Sequence, residues 1–385
     1  MEKNILIINI GSSSKKYHLY SGENLLIDAH FEHDKEGFVV TYAGETIKEI
    51  ISEVYENGLA HFCDVAKKSG CISDTNPISL IGLRLVAPGE YFTKDHIIDN
   101  EFIEKLEMVA KNDLTHIEPI QTELGFVAKL FPNIKVVAVS DSSFHLTMPQ
   151  VARSYAIPTK LAEEKDLYRF GFHGISIASI VHDFTSRPNG IENRIIVCHL
   201  GSGASVTALL GGKSLDTSMG YSPLEGLVMS SRVGNIDAGA VLYLAKTQNV
   251  DDLQKLFYSQ SGLLALSGLS GDMRVLLDAE KDGHTGAHFA IEAFIYNIRK
   301  YIGAYAGVLS GIDAIVFSGT IGERAAILRE RICKGFEYLN IHVDPEKNKS
   351  MVNNVDIAKE NGVHIYVMHG DEAGEILRRT VLTAK

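Results

Sequence analysis

Two arginines stand in stretches that are otherwise apolar or small. Arg84 interrupts Ile81-Gly82-Leu83-Arg84-Leu85-Val86, and Arg232 lies within Met229-Ser230-Ser231-Arg232-Val233-Gly234. Burying a guanidinium is costly unless an anion pairs with it. That anion is either a carboxylate of the chain, in a structural ion pair, or a ligand's carboxylate or phosphoryl oxygens, which the planar fork of arginine fits. Asp141 follows the run Val136-Val137-Ala138-Val139-Ser140. This reads as the carboxyl end of a strand, where open α/β sheets place ligands, although a turn or helix cap needs the same residue type. His173, in Tyr168-Arg169-Phe170-Gly171-Phe172-His173-Gly174, is either a donor to a reacting group or a satisfied core histidine. His116, His145 and His199 are open to the same two readings.

Two loops rich in glycine and hydroxyls follow apolar runs. Gly11-Ser12-Ser13-Ser14 follows residues 5–10, and Gly201-Ser202-Gly203-Ala204-Ser205 follows residues 194–199. Glycine lets backbone N–H groups approach phosphate oxygens, and hydroxyls add donors. One such loop reads as a hairpin turn; two at equivalent places of a repeated chain point to the phosphates of a nucleotide. Return strands are expected around Lys16–Tyr20 and Val206–Leu209. A second echo pairs residues 136–144 with 314–323, each a strand running into a polar loop, with a helix over Arg324–Cys333 after the latter. Together these suggest an internal duplication.

Helical spacing is expected over Ile47–Tyr55, Glu101–Val109, Glu118–Leu130 and Gly286–Ser310. Strands alternating with helices define the class as α/β. The best division lies near residues 149–160, bracketed by Pro149 and Pro158. At 385 residues, two or three domains are expected. A net charge of −11 argues against a general nucleic-acid or anionic-membrane binder. The four cysteines form no C-x-x-C pair and read as reduced packing residues of a cytoplasmic protein. No H-E-x-x-H, G-x-S-x-G or Walker A pattern occurs, which disfavours zinc, nucleophile-elbow and P-loop chemistry. A phosphate-handling chain of this kind points to duplicated actin-like, sugar-kinase-like lobes of ribonuclease-H type.

Beyond these patterns, Asn9-Ile10-Gly11-Ser12-Ser13-Ser14-Lys15-Lys16 resembles the N-terminal signature of the acetate kinase family, N-x-G-S-S-S-x-K. Residues 169–174 resemble its R-Y-G-F-H-G, with Phe170 for the tyrosine. His199–Ser205, Gly212–Gly220, Pro223–Met229, Ser261–Leu264 and Gly319–Glu323 are also similar, in order along the chain. The resemblance implies a magnesium-dependent ATP:carboxylate phosphotransferase, with Mn2+ as an alternative ion, acting on acetate as a homodimer. Its implied lobes are 1–150 plus 370–385, on the acyl and phosphoryl side, and 151–369, for nucleotide binding and dimerisation. By resemblance, Asn9, Ser12, Ser14 and Lys16 would line the transfer site, with Asn9 and Glu372 (or Asp371) serving the metal. Arg84 and Arg232 would hold the carboxylate and the moving phosphoryl group, Asp141 would orient the acid or support the metal, and His173 would stabilise the transition state. Val86, Phe172 and Pro223 would form the acyl pocket. His199, Gly201, Ser202, Gly203, Asp272, Met273, Arg274, Gly319, Ile321 and Gly322 would line the ATP cleft.

The chain departs from the family pattern at Ala87 and Pro88 (usually His-Gly), Ile117, Ile175, Ile177 (usually histidine), Ser202 (asparagine), Asn235 (aspartate) and Thr320. These changes leave propionate or another short acid, and a pyrophosphate donor, as further readings. A nucleotide-binding paralogue without turnover and an actin-like polymer are alternatives of other classes.

Overall fold

The structure is a computed structural model that describes residues 3–11, 14–34, 37–42, 45–111, 114–186, 192–349 and 354–385. Ser12 and Ser13, and the His116 side chain, lie outside the described residues. The chain folds as two compact units: Met1–Ser143 with Asp371–Lys385, and Phe144–Gly370.

The first unit contains β1 (Asn4–Ile10), β2 (Ser14–Ser21), β3 (Asn24–Asp34), β4 (Gly37–Tyr42), β5 (Glu45–Ile50), β6 (Ile78–Leu85), β7 (His96–Ile97) and β8 (Lys135–Ser140). They form one sheet in the order β5-β4-β3-β2-β1-β6-β8-β7. β1 runs antiparallel to β2 and parallel to β6, and β6 runs parallel to β8. Period-two alternation gives each strand two faces. Leu6, Ile8, Tyr17, Leu19, Ile81 and Leu83 pack with Phe62, Phe102 and Ile117 from the helices Gly58–Lys68, Asn100–Ala110 and Leu114–Leu130. The opposite face of β1 and β6 carries the final helix, Glu372–Thr383, so residues of the other parity (Asn9 and Arg84) point towards its side.

The second unit contains β9 (Arg194–Leu200), β10 (Ala204–Leu210), β11 (Lys213–Thr217), β12 (Ala314–Ser318), β13 (Val355–Asp356) and β14 (His364–Val367), in the order β11-β10-β9-β12-β14-β13. Ile195, Val197 and Val316 pack against Ile177, Ile180 and Phe184 of the helix Gly174–Ser186. The long helix Thr285–Val308 also packs on β9 and β10.

The duplication is explicit in the strand senses. In each sheet two antiparallel pairings, two parallel pairings and a final antiparallel edge follow in the same order, so β3-β2-β1-β6-β8-β7 repeats as β11-β10-β9-β12-β14-β13. The expected echo of residues 136–144 with 314–323 is corrected by one strand. β12 lies beside β9 as β6 lies beside β1, and the counterpart of β8 is β14. Both are buried parallel strands ending in polar loops, a shape that short patterns do not distinguish.

The helices expected over 101–109, 118–130 and 286–310 form, as Asn100–Ala110, Leu114–Leu130 and Thr285–Val308. The helix expected over Ile47–Tyr55 does not. Residues 45–50 form β5, paired with β4 through Tyr42↔Glu45 and Val40↔Ile47, and only Ser52–Glu56 is helical. Thr46, Ile47, Ile50 and Ile51 are β-branched, stiff in a helix and suited to a pleated strand beside an open edge.

Candidate functional site

In the first unit the sheet gathers the residues that the sequence singled out. Asn9 lies near the carboxyl end of β1, Arg84 near that of β6, and Asp141 immediately after β8. Lys16 of β2 is the cross-strand partner of Asn9 and therefore shares its face. Arg84 Nη2 donates to Asp141 Oδ2 at 2.9 Å, and Nη1 to Asn9 Oδ1 at 3.3 Å. Asn9 Nδ2 donates to Glu372 Oε2 at 2.7 Å, at the first turn of the final helix. Arg84 Nε is buried and has no hydrogen-bond partner among the described residues. Burial alone would lower the Arg84 pKa, but the Asp141 and Glu372 charges and the Asp141 hydrogen bond outweigh it and raise it. The guanidinium thus stays charged and its Nε–H is unspent among the described residues, as an anion-binding group requires. Ser14 accepts the Gly11 N–H through its carbonyl oxygen at 2.8 Å. Val86 is half-buried just beyond β6.

In the second unit His173 precedes the helix Gly174–Ser186 with φ +61, a left-handed conformation uncommon for non-glycine residues. Its Nδ1 pairs with Ser205 Oγ at 2.9 Å, and its ring lies on His199 with centroids 4.4 Å apart. Ser205 is the cross-strand partner of His199, so β9 and β10 deliver both groups to one spot. A Cβ on Gly203 would stand 3.1 Å from His173 Nε2 and 3.6 Å from Arg232 Nη1. The imidazole and the guanidinium therefore converge over this glycine, and its missing side chain makes room for them. Arg232 Nη1 donates to the Pro223 carbonyl at 3.1 Å. Phe172 and Pro223 are buried nearby in the chain.

The nucleotide-side residues are tied together through the backbone. The Gly201 N–H donates to Gly203 O at 2.9 Å, and the Ser230 N–H donates to Ser202 O at 3.2 Å. Ser230 Oγ donates to Gly271 O at 3.0 Å, beside Asp272, which caps the helix Met273–Lys281. Met273 is buried, whereas Arg274 is exposed and paired with Asp272 at 2.6 Å. The Arg274 hydrogen bond, opposed by burial, holds Asp272 below the usual carboxylate range. Gly319 has φ +74, and a Cβ there would lie 2.6 Å from Leu200 O, so the helix Gly319–Arg324, with Ile321 and Gly322, starts directly against the end of β9. His199 Nδ1 reaches Ser176 Oγ at 3.0 Å and Ser318 Oγ at 3.3 Å.

His145 is held as a core group, with Nδ1 to Ser214 Oγ at 2.8 Å and Nε2 to Phe172 O at 3.0 Å. Ser176, Ser318 and Ser230 carry no signal of their own in the sequence, and Ser205 stands out there only as part of the Gly/Ser loop. Their importance is a matter of strand register and of the meeting of distant loops, which no local pattern encodes.

A family model for the Acetokinase family matches residues 4–378. The chain belongs to the Acetokinase family. As a member it is an enzyme that transfers phosphoryl groups to a carboxyl acceptor, with ATP and ADP as co-substrates. It is 36% identical over 404 aligned positions to the acetate kinase of Acetivibrio thermocellus, covering 99% of each chain. Among solved structures it resembles a propionate kinase from Francisella tularensis, with a TM-score of 0.88, 31% identity and 98% of each chain covered. It also resembles the acetate kinase of Porphyromonas gingivalis, with a TM-score of 0.85, 32% identity and all of each chain covered. Against the acetokinase pattern, several substituted positions are packing sites. Ala87, Ile117 and Ile177 are buried, and Asn235 accepts from the Gly226 N–H at 3.0 Å while donating to the Tyr301 hydroxyl at 2.8 Å.

Proposed function

We propose that this protein transfers the γ-phosphoryl group of ATP to the carboxylate of acetate, reversibly, giving acetyl phosphate and ADP. The observation that carries the reading is Arg84, a largely buried guanidinium fixed at both Nη ends by chain partners, whose Nε has no hydrogen-bond partner among the described residues. A carboxylate oxygen forms the new bond to phosphorus as the bond to the β–γ bridging oxygen breaks, and ADP leaves with that electron pair. Acetate is already anionic, so no strong base is needed, and the barrier is repulsion between two anions. Positioning and electrostatics lower such barriers.

In this reading Arg84 orients the acid and Asp141 fixes Arg84. Arg232 and His173 Nε2 face the transferring oxygens, with the imidazole held through Nδ1 by Ser205. Val86, Phe172 and Pro223 wall the acyl group. The Gly201–Gly203 turn, Lys16, His199, the Asp272–Arg274 segment and Gly319–Gly322 hold the nucleotide. Asn9 and Glu372 offer hard oxygen donors, which suits Mg2+ held by one carboxylate together with phosphate oxygens and water, and suits Mn2+ as well. Magnesium, when bound, would neutralise polyphosphate charge.

Propionate is the second reading, and the small buried Ala87, where the family pattern has histidine, favours it. ADP release measured with Mg-ATP against formate, acetate, propionate and butyrate tests both. The highest kcat/KM is expected with acetate, and a maximum at propionate would transfer the proposal to the longer acid. We assign a homodimer to the exposed apolar helix Ala238–Leu244, where Leu242 and Tyr243 are 68% and 71% exposed. No helix among the described residues is long and apolar enough to cross a membrane. The unpaired cysteines are in keeping with the cytoplasm.

A further inference from the structure

The final helix carries Glu372 at its first residue and Arg379 two turns later. Arg379 is buried, at 8% exposure. Its Nε donates to Asp95 Oδ2 at 2.9 Å, and its Nη2 donates to Asp95 Oδ1, to Ser140 O at 3.0 Å and to Ser143 Oγ at 2.6 Å. Asp95 Oδ1 also accepts the Ser140 N–H at 2.9 Å. One arginine and one aspartate therefore grip the chain on both sides of Asp141. The Asp141 N–H in turn donates to Leu85 O at 2.9 Å, one residue beyond Arg84.

The helix also docks on the sheet through other side chains. Ile376, Leu377 and Thr380 are buried on the sheet, and Gly82 lets Thr380 approach so closely that a Cβ there would lie 2.2 Å from its hydroxyl. The Arg379 donors go past that apolar bed to the segment 140–143. Their several acceptors need the fixed fork of arginine rather than the point charge of lysine.

We propose that the Arg379–Asp95 pair sets the position of Asp141, and through it the Arg84 guanidinium, relative to Glu372 on the same helix. Arg379 is thus a positioning residue for the transfer. The proposal deepens the reading above and rests on it for the kinetic part only. A misplacement of about 1 Å in such a site can cost on the order of 10²-fold in rate.

The test uses the full chain with Arg379→Lys and Asp95→Asn, each alone and combined with Asp141→Asn. Expected is a fall in kcat of about 10–100-fold for each single variant, with the KM for Mg-ATP changed by less than about 3-fold. The effects are expected to be non-additive with Asp141→Asn, because the pair acts through Asp141. Side-chain 15N NMR of Arg84 supplies a readout that needs no turnover. The ion pair to Asp141 is expected to slow guanidinium rotation and keep the Nη signals resolved in the parent, and they are expected to merge in Arg379→Lys. Unchanged Arg84 signals, or an unchanged kcat with only a lower Tm, would overturn the proposal. If the parent protein turns over no acid, the functional reading fails and the Arg84 spectra alone decide.

Discussion

Arg84 belongs to two structures at once. Its ion pair with Asp141 at 2.9 Å is the largely buried bridge that a lone arginine in an apolar strand demands, and its Nε, without a hydrogen-bond partner among the described residues, is the part that such a bridge leaves for a ligand. Arg84→Ala and Arg232→Ala are each expected to lower kcat/KM by about 10²–10⁴-fold, since charge clamps act strongly in a dry site. Steady-state kinetics with acetate varied checks this, and near-parent kcat/KM in either variant contradicts the assigned role. Arg84 and Asp141 were legible because a charge in an apolar run is physically conspicuous. His173 and His145 were not separable on flanking residues. What distinguishes them is the positive φ and the Ser205 contact of one, and the Ser214 and Phe172 contacts of the other.

Elements carry these side chains by parity and register. Asn9 and Lys16 share a face because they oppose each other across β1 and β2, and Glu372 meets Asn9 because the final helix lies on that face. Gly82→Ala is expected to push this helix outward through Thr380, lowering both Tm and kcat. Adding Thr380→Ala should restore much of each, because the Thr380 hydroxyl has no hydrogen-bond partner among the described residues. No recovery in the double variant would show that Gly82 matters for another reason. At the start of β9, Arg194 donates to Asp313 at 2.5 Å, and its hydrogen bond is the main cause holding the Asp313 carboxyl below its usual value. A depressed folded pKa means that the stabilisation is present above the unfolded value and lost as pH falls through the folded one. Asp313→Asn should therefore lower Tm at neutral pH, with the deficit shrinking below about pH 4. A deficit independent of pH would contradict this. The Gly/Ser hairpins and the three longer helices were readable from turn chemistry and spacing. The β5 segment was not, because a β-branched run fits helical spacing until a neighbouring strand edge is available. The equivalence of β12 with β6 rather than β8 depends on sheet order, which local pattern does not contain.

At the scale of the molecule, the same strand order occurs twice, and each copy places its chemistry at the carboxyl ends of its parallel strands. Asn9, Arg84, Asp141 and Glu372 occupy one unit, and His173, Arg232 and the Gly201–Gly203 turn the other. The duplication was legible as two similar hairpins, while the return of residues 371–385 to the first unit is a long-range fact that only the fold supplies. Association is expected through the exposed helix Ala238–Leu244. Analytical ultracentrifugation should give twice the 42.2 kDa chain mass, and Leu242→Asp with Tyr243→Asp should give the single-chain mass. A monomeric parent would contradict the dimer. The most direct test of the transfer itself is acyl phosphate trapped with hydroxylamine, using purified protein, Mg-ATP and acetate. Hydroxamate formation that requires both co-substrates and collapses in Arg84→Ala is the expected result. A folded protein that binds ATP yet yields no hydroxamate with acetate, propionate or any other short acid would contradict the account.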